Sequence, residues 1–311
     1  MSATLSIIAP VFALVLVGWV ARRIGVLGAD ATRELNRFVV YLSLPALLFD
    51  IVAHARWQEV WQPAFIAVFS LSMAVVFTLT VALSLKRHSL ADAALDGLSA
   101  AYGNTAFMGF PILAAALGPS GLAAAMIATL LTACVLFAVA IVLIEIGLQA
   151  KVRPHHLALK VGAQLLRNPL VIAPLVGVAV AAAGLSVPGP VDKAVKMLAG
   201  AASPCALVTI GLFLGAKRAA GGERGDTMAA AILVGLKLVL QPVLAFGLAA
   251  WLRLPATMTH AVVLLAAMPT GTGPFMLAEF YGREAGVTSR VILVSTIASA
   301  VTLSAYIAFA R

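Results

Sequence analysis

The sequence is poor in charged residues. Asp, Glu, Lys and Arg together make up 11% of its 311 residues, whereas a soluble domain carries about 25%. Hydrophobic residues make up 62% of the chain, and the mean hydropathy is +1.07. A soluble core of this size would not require so much apolar surface. The composition therefore excludes a soluble protein and predicts a polytopic membrane protein with nearly all its mass in the bilayer.

The residue patterns of several kinds of chemistry are also missing. The two cysteines, Cys134 and Cys205, both lie in apolar stretches, so neither a disulfide framework nor a metal cluster is expected. The five histidines form no HExxH pattern, no GxxxxGK[ST] phosphate-binding motif occurs, and no pair of intramembrane aspartates faces each other. We therefore expect no enzymatic activity, no ATP hydrolysis, no metal and no cofactor.

Long apolar runs fill almost the whole chain. Each is about as long as a helix that crosses roughly 30 Å of hydrocarbon at about 1.5 Å per residue. The sequence therefore predicts an all-α membrane protein with ten transmembrane helices. The predicted spans cover residues 4–21, 36–54, 62–85, 92–117, 120–147, 169–184, 193–216, 228–252, 257–281 and 286–310.

Positive charge is distributed unevenly between the connections. Fifteen of the 21 Lys and Arg residues lie in alternate connections or at the adjoining span ends, beginning with the connection after the first span. Five lie in or beside the other connections and at the C-terminus, and Lys237 lies within a span. The net charge of +9 thus reflects membrane topology and does not indicate nucleic-acid binding. Arg22 and Arg23 follow the first apolar run instead of preceding it, so this run is predicted to be a retained span and not a signal peptide. We expect a bacterial-type inner-membrane protein with both termini outside.

Short motifs recur in the two halves of the chain. Ile8-Ala9-Pro10 returns as Ile172-Ala173-Pro174, and Ser43–Leu47 is echoed by Ser203–Leu207. The span starts of the two halves differ by a near-constant offset of about 158 to 166 residues. Because each unit holds an odd number of spans, the second copy must be inverted, as in many secondary transporters. We expect a first five-helix repeat (1–148), a cytoplasmic connecting loop (149–168) and a second, inverted repeat (169–311).

Two spans are interrupted at corresponding positions. Asn104–Pro111 in span 4 and Met268–Phe275 in span 9 contain the glycines and prolines that disfavour a continuous helix. We expect each span to split into half-helices that cross at the midplane, with N-terminal ends near Phe110–Pro111 and Pro274–Phe275. Such ends carry partial positive charge and free N–H groups, and together they favour an anion. The alternative is that the prolines only kink two helices.

Lys237 lies near the middle of span 8, where a lysine costs about 2.5–3.5 kcal/mol and should face a partner or a cavity. No carboxylate is equally deep, so an acidic site for sodium or protons is not evident and a carboxylate-bearing substrate is favoured. Lys237 either contacts this substrate or caps the C-terminal ends of the half-helices in place of a bound cation.

The candidate substrate-binding residues lie in the two interruptions or on the same helix face as Lys237. Asn104 either contacts the substrate directly or makes an interhelical hydrogen bond. Glu279 is a candidate proton-linked group. Alternatively, it faces the cytoplasmic vestibule or pairs with a cation of a loop. The candidate set is Asn104, Thr105, Pro111, Pro269, Thr270, Thr272, Pro274, Lys237 and Gln241.

Four segments together resemble the auxin efflux carrier family, which includes malonate carriers and the plant auxin exporters. The resemblance spans the whole chain. It is carried by Leu42–Leu47, by Asn104–Pro111, by Lys237-Leu238 with Pro242, and by the run from Met268 through Ala278.

The resemblance implies a ten-helix fold like that of the bile-acid and sodium/proton carriers. In that fold spans 1, 2, 6 and 7 form a scaffold that often dimerises, and spans 3–5 and 8–10 form a transport domain that moves as an elevator. Asn104 matches a substrate-contacting asparagine of the family. This chain has Thr270 and Thr272 where the plant branch has an asparagine, and it lacks the long plant loop. Both departures favour a bacterial-type small organic acid over auxin. Malonate-like dicarboxylates and aromatic weak acids are both candidate substrates.

The leading hypothesis from the sequence is a secondary active transporter of a small organic anion in the lipid bilayer. Coupling to protons or to sodium is open, and a homodimer through the scaffold helices is expected. The alternatives are an anion channel and a non-transporting membrane receptor or assembly protein.

Overall fold

The structure is a computed structural model, and it describes residues 2–55, 61–118, 120–149, 162–216, 224–283 and 285–309. All named elements among these residues are helical. Most of the predicted connecting loop (149–168) and the outermost residues of both termini lie outside this part of the chain. In chain order the α-helices are α1 (Ser2–Arg23), α2 (Ala31–Phe38), α3 (Leu44–Ala53), α4 (Pro63–Ser84), α5 (Leu90–Ala101), α6 (Phe110–Leu117), α7 (Ser120–Thr129), α8 (Phe137–Leu148), α9 (Pro169–Ala182), α10 (Gly189–Gly215), α11 (Arg224–Gly235), α12 (Gln241–Trp251), α13 (Ala256–Ala266), α14 (Gly273–Phe280) and α15 (Ala285–Phe309).

Within the described ranges, six helical stretches are long and apolar enough to cross a membrane by their length and composition. Three shorter apolar helices accompany them: Thr105–Leu117 contains most of the first predicted interruption, Ala256–Ala266 ends just before the second, and the third is Pro169–Ala182. The prediction of an all-helical, multi-pass membrane protein is therefore confirmed. The six stretches are Ala31–Ala53, Pro63–Ser84, Gly121–Leu148, Gly189–Gly215, Thr227–Trp251 and Ala285–Ile307.

Four π-helical segments join α-helices within the described residues. Three of them are each followed by a proline at the second residue of the next α-helix: Pro45, Pro111 and Pro242. A proline removes one backbone donor and its ring pushes against the carbonyl four residues earlier, so a wider turn before it relieves the clash. The four segments are π1 (Val39–Ser43), π2 (Thr105–Gly109), π3 (Leu130–Leu136) and π4 (Leu236–Leu240).

The helices pack in two groups. The small helix group consists of α1, α2 with π1 and α3, α9 and α10, and its tightest pairs are α1 with α10 and α3 with α9. The large helix group consists of α4 to α8 and α11 to α15, with α5 packed against both α4 and α8. Its buried core includes the rings of Phe65, Phe69, Phe137 and Phe275.

Glycines bring the backbones of α1 and α10 into contact. A Cβ atom on Gly211 would lie 2.0 Å from the carbonyl oxygen of Val15, and one on Gly18 would lie 2.2 Å from that of Val208. Without a hydrophobic driving force between helices in lipid, such close packing is the main source of their association. The two glycines therefore fix the distance between the halves of the small helix group.

A charged cluster joins α3 to α10 at one end of the same group. The imidazole of His54 lies between Asp50 and Asp192, with Nδ1 2.9 Å from Asp50 Oδ1 and Nε2 3.1 Å from Asp192 Oδ1. Lys196 Nζ lies 2.8 Å from the other carboxylate oxygen of Asp192. These groups are partly exposed, so the cluster is a network of surface ion pairs and not a buried ion pair.

We predict that Gly211→Ala destabilises the protein by about 1–3 kcal/mol, because its methyl group overlaps the backbone of α1. Thermal unfolding in detergent should show a lower Tm. Gly200→Ala is the matched control: it lies in the same helix, nothing lies within 4 Å of its Cβ position, and its Tm should stay the same or rise. Equal Tm values for the two variants would contradict the close packing of α1 and α10.

Candidate functional site

Two breaks in the large helix group face each other. Helix α5 ends at Ala101 and α13 ends at Ala266, and helix resumes at Thr105 and at Gly273. Between these points the two non-helical segments run antiparallel and form an isolated β-bridge between Gly103 and Thr270. We call this pairing the bridge.

The bridge satisfies backbone groups that the breaks release. The amide N–H of Asn104 donates to the carbonyl of Pro269 at 2.7 Å, and the N–H of Gly271 donates to the carbonyl of Tyr102 at 3.0 Å. Unpaired backbone is tolerated at membrane depth only where protein or a water-filled cavity covers it. Each break thus supplies the hydrogen-bond partners of the other.

The first break lies earlier in the chain than the sequence predicted. Helix resumes at Thr105, five residues before the expected N-terminal end near Phe110–Pro111, and it runs through π2 directly into α6. The widened turn lets the N–H groups of Met108 and Gly109 share the Asn104 carbonyl, at 3.1 and 3.3 Å. Pro111 is consequently accommodated inside a continuous helix and does not start one.

The second break agrees with the prediction, since α14 begins at Gly273, next to Pro274. Glycine is required there for space. A Cβ on Gly271 would lie 2.8 Å from the ring of Tyr102, and one on Gly273 would lie 2.9 Å from the rings of Tyr102 and Phe137. The ring of Tyr102 therefore packs directly on the glycine backbone of the second break.

Both resumed helices begin with N–H groups that have no acceptor. Among the described residues this holds for Ala106 and Phe107 in the first, and for Thr272, Gly273 and Phe275 in the second. The first turn of a helix always leaves such donors, and with the helix dipole they attract negative charge. The two starts together form an anion-preferring region beside the bridge.

Asn104 directly precedes the first of these starts. Its side chain is 7% exposed and makes no hydrogen bond to any described residue. A buried amide without a partner is expected to bind water or a ligand. Asn104 therefore offers a donor and an acceptor next to the free N–H groups.

Lys237 lies in π4 and is fully buried, at 0% exposure. Its Nζ donates to the carbonyl of Ala266, the last residue of α13, at 2.6 Å. Lys237 also lies against the bridge, since a Cβ on Gly103 would be 3.6 Å from Lys237 Cε. In the described part of the chain it has no carboxylate partner. The Lys237 side chain thus caps the negative C-terminal end of the half-helix.

Thr270 is held by two serines. Its hydroxyl donates to the carbonyl of Ser99 at 2.8 Å, and its N–H donates to the hydroxyl of Ser295, which lies in α15, at 3.1 Å. These contacts make Thr270 part of the support of the bridge. Sequence reasoning missed both serines: Ser99 contributes only its backbone carbonyl, which any residue would supply, and a single hydroxyl such as that of Ser295 in an apolar helix is a weak signal.

The other predicted site residues are distributed as follows. Thr105, Pro269 and Pro274 are buried at the breaks, Thr272 is half-buried at the start of α14, and Pro111 is exposed.

Gln241 and Glu279 lie further along their helices. Gln241, one turn after Lys237, is 1% exposed and neither atom of its amide is hydrogen-bonded to a described residue. Glu279 is half-buried near the far end of α14, away from the bridge, and has no partner among the described residues. Gln241 is therefore the second buried amide near Lys237 that is available to a ligand or water.

Over most of its length the chain is similar to known transporters. A family model described as "Membrane transport protein" matches residues 4–307. A candidate malonate transporter of Rhizobium meliloti is 30% identical over 303 residues, which cover 96% of this chain and 93% of the relative. An uncharacterized transporter of Escherichia coli K12 is 24% identical over 310 residues, or 97% of this chain and 96% of the relative.

A plant protein matches a shorter part of the chain. Auxin efflux carrier component 8 of Arabidopsis thaliana is 29% identical over 152 residues, which cover 48% of this chain and 41% of the relative. The relatives and the family model describe transporters and no enzyme. The chain belongs to the membrane transport proteins of the auxin efflux carrier family.

Proposed function

We propose that this protein is a secondary active transporter of a small organic anion, bound where the two broken helices meet. The proposal rests on the hydrogen-bond partners at the bridge, which in the described part of the chain are present for the carbonyl end and missing for the N–H ends. Its carbonyl end at Ala266 is capped by Lys237, whereas the N–H groups of both resumed helices have no acceptor among the described residues. Positive partial charge without a protein acceptor is a site for an anion.

A malonate-like dicarboxylate is the substrate class that we favour. The two resumed helices provide two separate N-terminal ends, and Asn104 adds an amide, so two carboxylates can each be matched by one end. The 30% identity to the candidate malonate transporter of Rhizobium meliloti supports this choice. An aromatic weak acid, suggested by the plant relative, would use only one end.

We further propose that Lys237 supports the bridge and does not bind substrate. Its Nζ is already engaged at 2.6 Å by the carbonyl of Ala266. The Lys237 side chain at the end of α13 takes the position that a bound cation would otherwise occupy against the same negative end. Transport should therefore not require sodium at this position.

The finer architecture is part of the same proposal. The ten predicted spans form two inverted five-helix repeats, the breaks cross at the midplane, and both termini face outside the inner membrane. The small helix group is the scaffold and dimerises, while the large helix group moves as an elevator. The support for this division is that both breaks, Lys237 and the two serines belong to the large helix group.

Uptake into proteoliposomes tests the transport proposal. Labelled malonate should enter with saturable kinetics, and preloaded unlabelled malonate should drive counterflow. Both results should be the same whether the external salt is sodium or potassium. Flux without saturation or counterflow would indicate a channel. Binding without movement into the vesicles would indicate a receptor.

We predict that Lys237→Met reduces malonate uptake by about tenfold or more and lowers the Tm, because the Ala266 carbonyl loses its donor in a buried site. The initial uptake rate and thermal unfolding are the measurements. Lys193→Met removes the same charge from an exposed position of α10 and should leave both unchanged. Near-normal uptake by Lys237→Met would exclude the supporting role.

Asn104→Ala is expected to weaken malonate binding by about 10- to 100-fold, the usual effect of losing a hydrogen bond to a charged group. Its Tm should change little, since the side chain has no protein partner in the described residues. Asn36→Ala is the contrasting control. Asn36 donates to the carbonyl of Met276 at 3.4 Å, so this variant should change stability but not affinity. Unchanged binding by Asn104→Ala would remove Asn104 from the site.

A further inference from the structure

A cavity lies in the large helix group, and no residue of the bridge lines it. Its volume is about 690 Å³, and it is formed where the end of α4 and the start of α5 approach α11 and the first turns of α15. None of the predicted substrate-binding residues lines it. We call it the α4–α11 groove.

The mouth of the groove is basic. Lys86, Arg87 and His88 lie in the connection between α4 and α5, all three are exposed, and all three line the groove. A connection between two membrane helices lies at the boundary between lipid and water. The distribution of Lys and Arg predicts that this connection faces the inside.

The acidic groups of the mouth are already engaged. Asp92 is paired with Arg283, whose Nε lies 2.7 Å from Asp92 Oδ1, and Asp96 accepts a hydrogen bond from Ser84 Oγ at 2.9 Å. Lys86 and Arg87 have no ion-pair partner in the described part of the chain. The mouth therefore offers two cations to a ligand with negative charge.

The wall of the groove is apolar and runs into the membrane region. Met228, Ile232 and Leu236 line it along one side of α11 and π4, and Leu83 lines it on α4. From Met228 to Leu236 the helix rises by about 12 Å, at about 1.5 Å per residue. Met228 and Ile232 are exposed in the protein alone, as expected of residues that contact lipid. A small, fully hydrated anion would leave this wall empty.

We propose that the α4–α11 groove binds an anionic phospholipid. Its phosphate contacts Lys86 and Arg87, and one acyl chain lies along Ile232 and Leu236. Basic residues at a membrane boundary that adjoin an apolar groove are the usual receptor for such a lipid. Because Leu236 directly precedes Lys237, the lipid lies against π4 and stabilises the helix that holds the lysine. The inference does not depend on the identity of the transported substrate.

The test uses the delipidated full-length protein in detergent, with native mass spectrometry and thermal unfolding as readouts. Phosphatidylglycerol should bind saturably and raise the Tm by several degrees, whereas phosphatidylcholine should bind much more weakly. Inorganic phosphate and a short-chain phosphatidylglycerol are the further probes. If inorganic phosphate raises the Tm as much as phosphatidylglycerol does, the groove is a site for a free anion. If phosphatidylcholine binds as tightly as phosphatidylglycerol, the groove is an unselective lipid surface. Either result overturns the proposal.

Two variants separate the headgroup from the acyl chain. The double variant Lys86→Gln/Arg87→Gln should lose about tenfold or more in affinity for phosphatidylglycerol. Ile232→Trp keeps both cations but fills the groove, and it should also abolish saturable binding of the long-chain lipid.

The controls change the same residue types elsewhere. Lys193→Gln/Lys196→Gln removes two exposed cations of α10, and Val243→Trp adds an indole to an exposed position of α12. Both should bind phosphatidylglycerol as the unsubstituted protein does. If Ile232→Trp or Lys86→Gln/Arg87→Gln binds it normally, the groove is not its site.

Discussion

The mutual hydrogen bonding of the two broken helices is the constraint on which the rest of the large helix group depends. A backbone group left unpaired in hydrocarbon costs several kcal/mol, so neither helix is expected to break alone. The bonds from Asn104 to Pro269 and from Gly271 to Tyr102 let both break together. The neighbouring features, such as the glycines beneath the Tyr102 ring, serve to hold this pairing in place.

The two kinds of helix end at the bridge are treated differently by the protein. The carbonyl end of α13 receives the side chain of Lys237, which donates to Ala266 and has no carboxylate partner in the described residues. The amide ends receive no protein acceptor in that same part of the chain, and Asn104 adds one more free amide. A buried lysine without a matching carboxylate is thus explained by the helix end that it caps. The remaining polarity of the site is positive, which agrees with an organic anion as substrate.

Sequence reasoning found those features whose cause is local. Composition predicted the membrane class, paired glycines and prolines marked both breaks, and depth alone singled out Lys237. The exact start of the first resumed helix was missed for two reasons. The wider turn of π2 accommodates Pro111 without a break, and the position of the break is set by a hydrogen bond to Pro269 in the other half of the chain. Hydrogen bonds between distant residues are not encoded in the propensity of either segment.

The hydrogen bonds between the two helix groups are longer than those that hold the bridge inside the large helix group. Asn36 reaches the carbonyl of Met276 at 3.4 Å, and the rings of Tyr41 and Phe280 meet edge to face at 5.6 Å. Inside the large helix group, by contrast, Lys237 and Thr270 hold the bridge with bonds of 2.6 and 2.8 Å. A body that is firmly joined within and loosely joined to its neighbour moves as a unit before it deforms. This difference supports the proposal that substrate is carried with the large helix group, since the site can cross the membrane without its own bonds being broken.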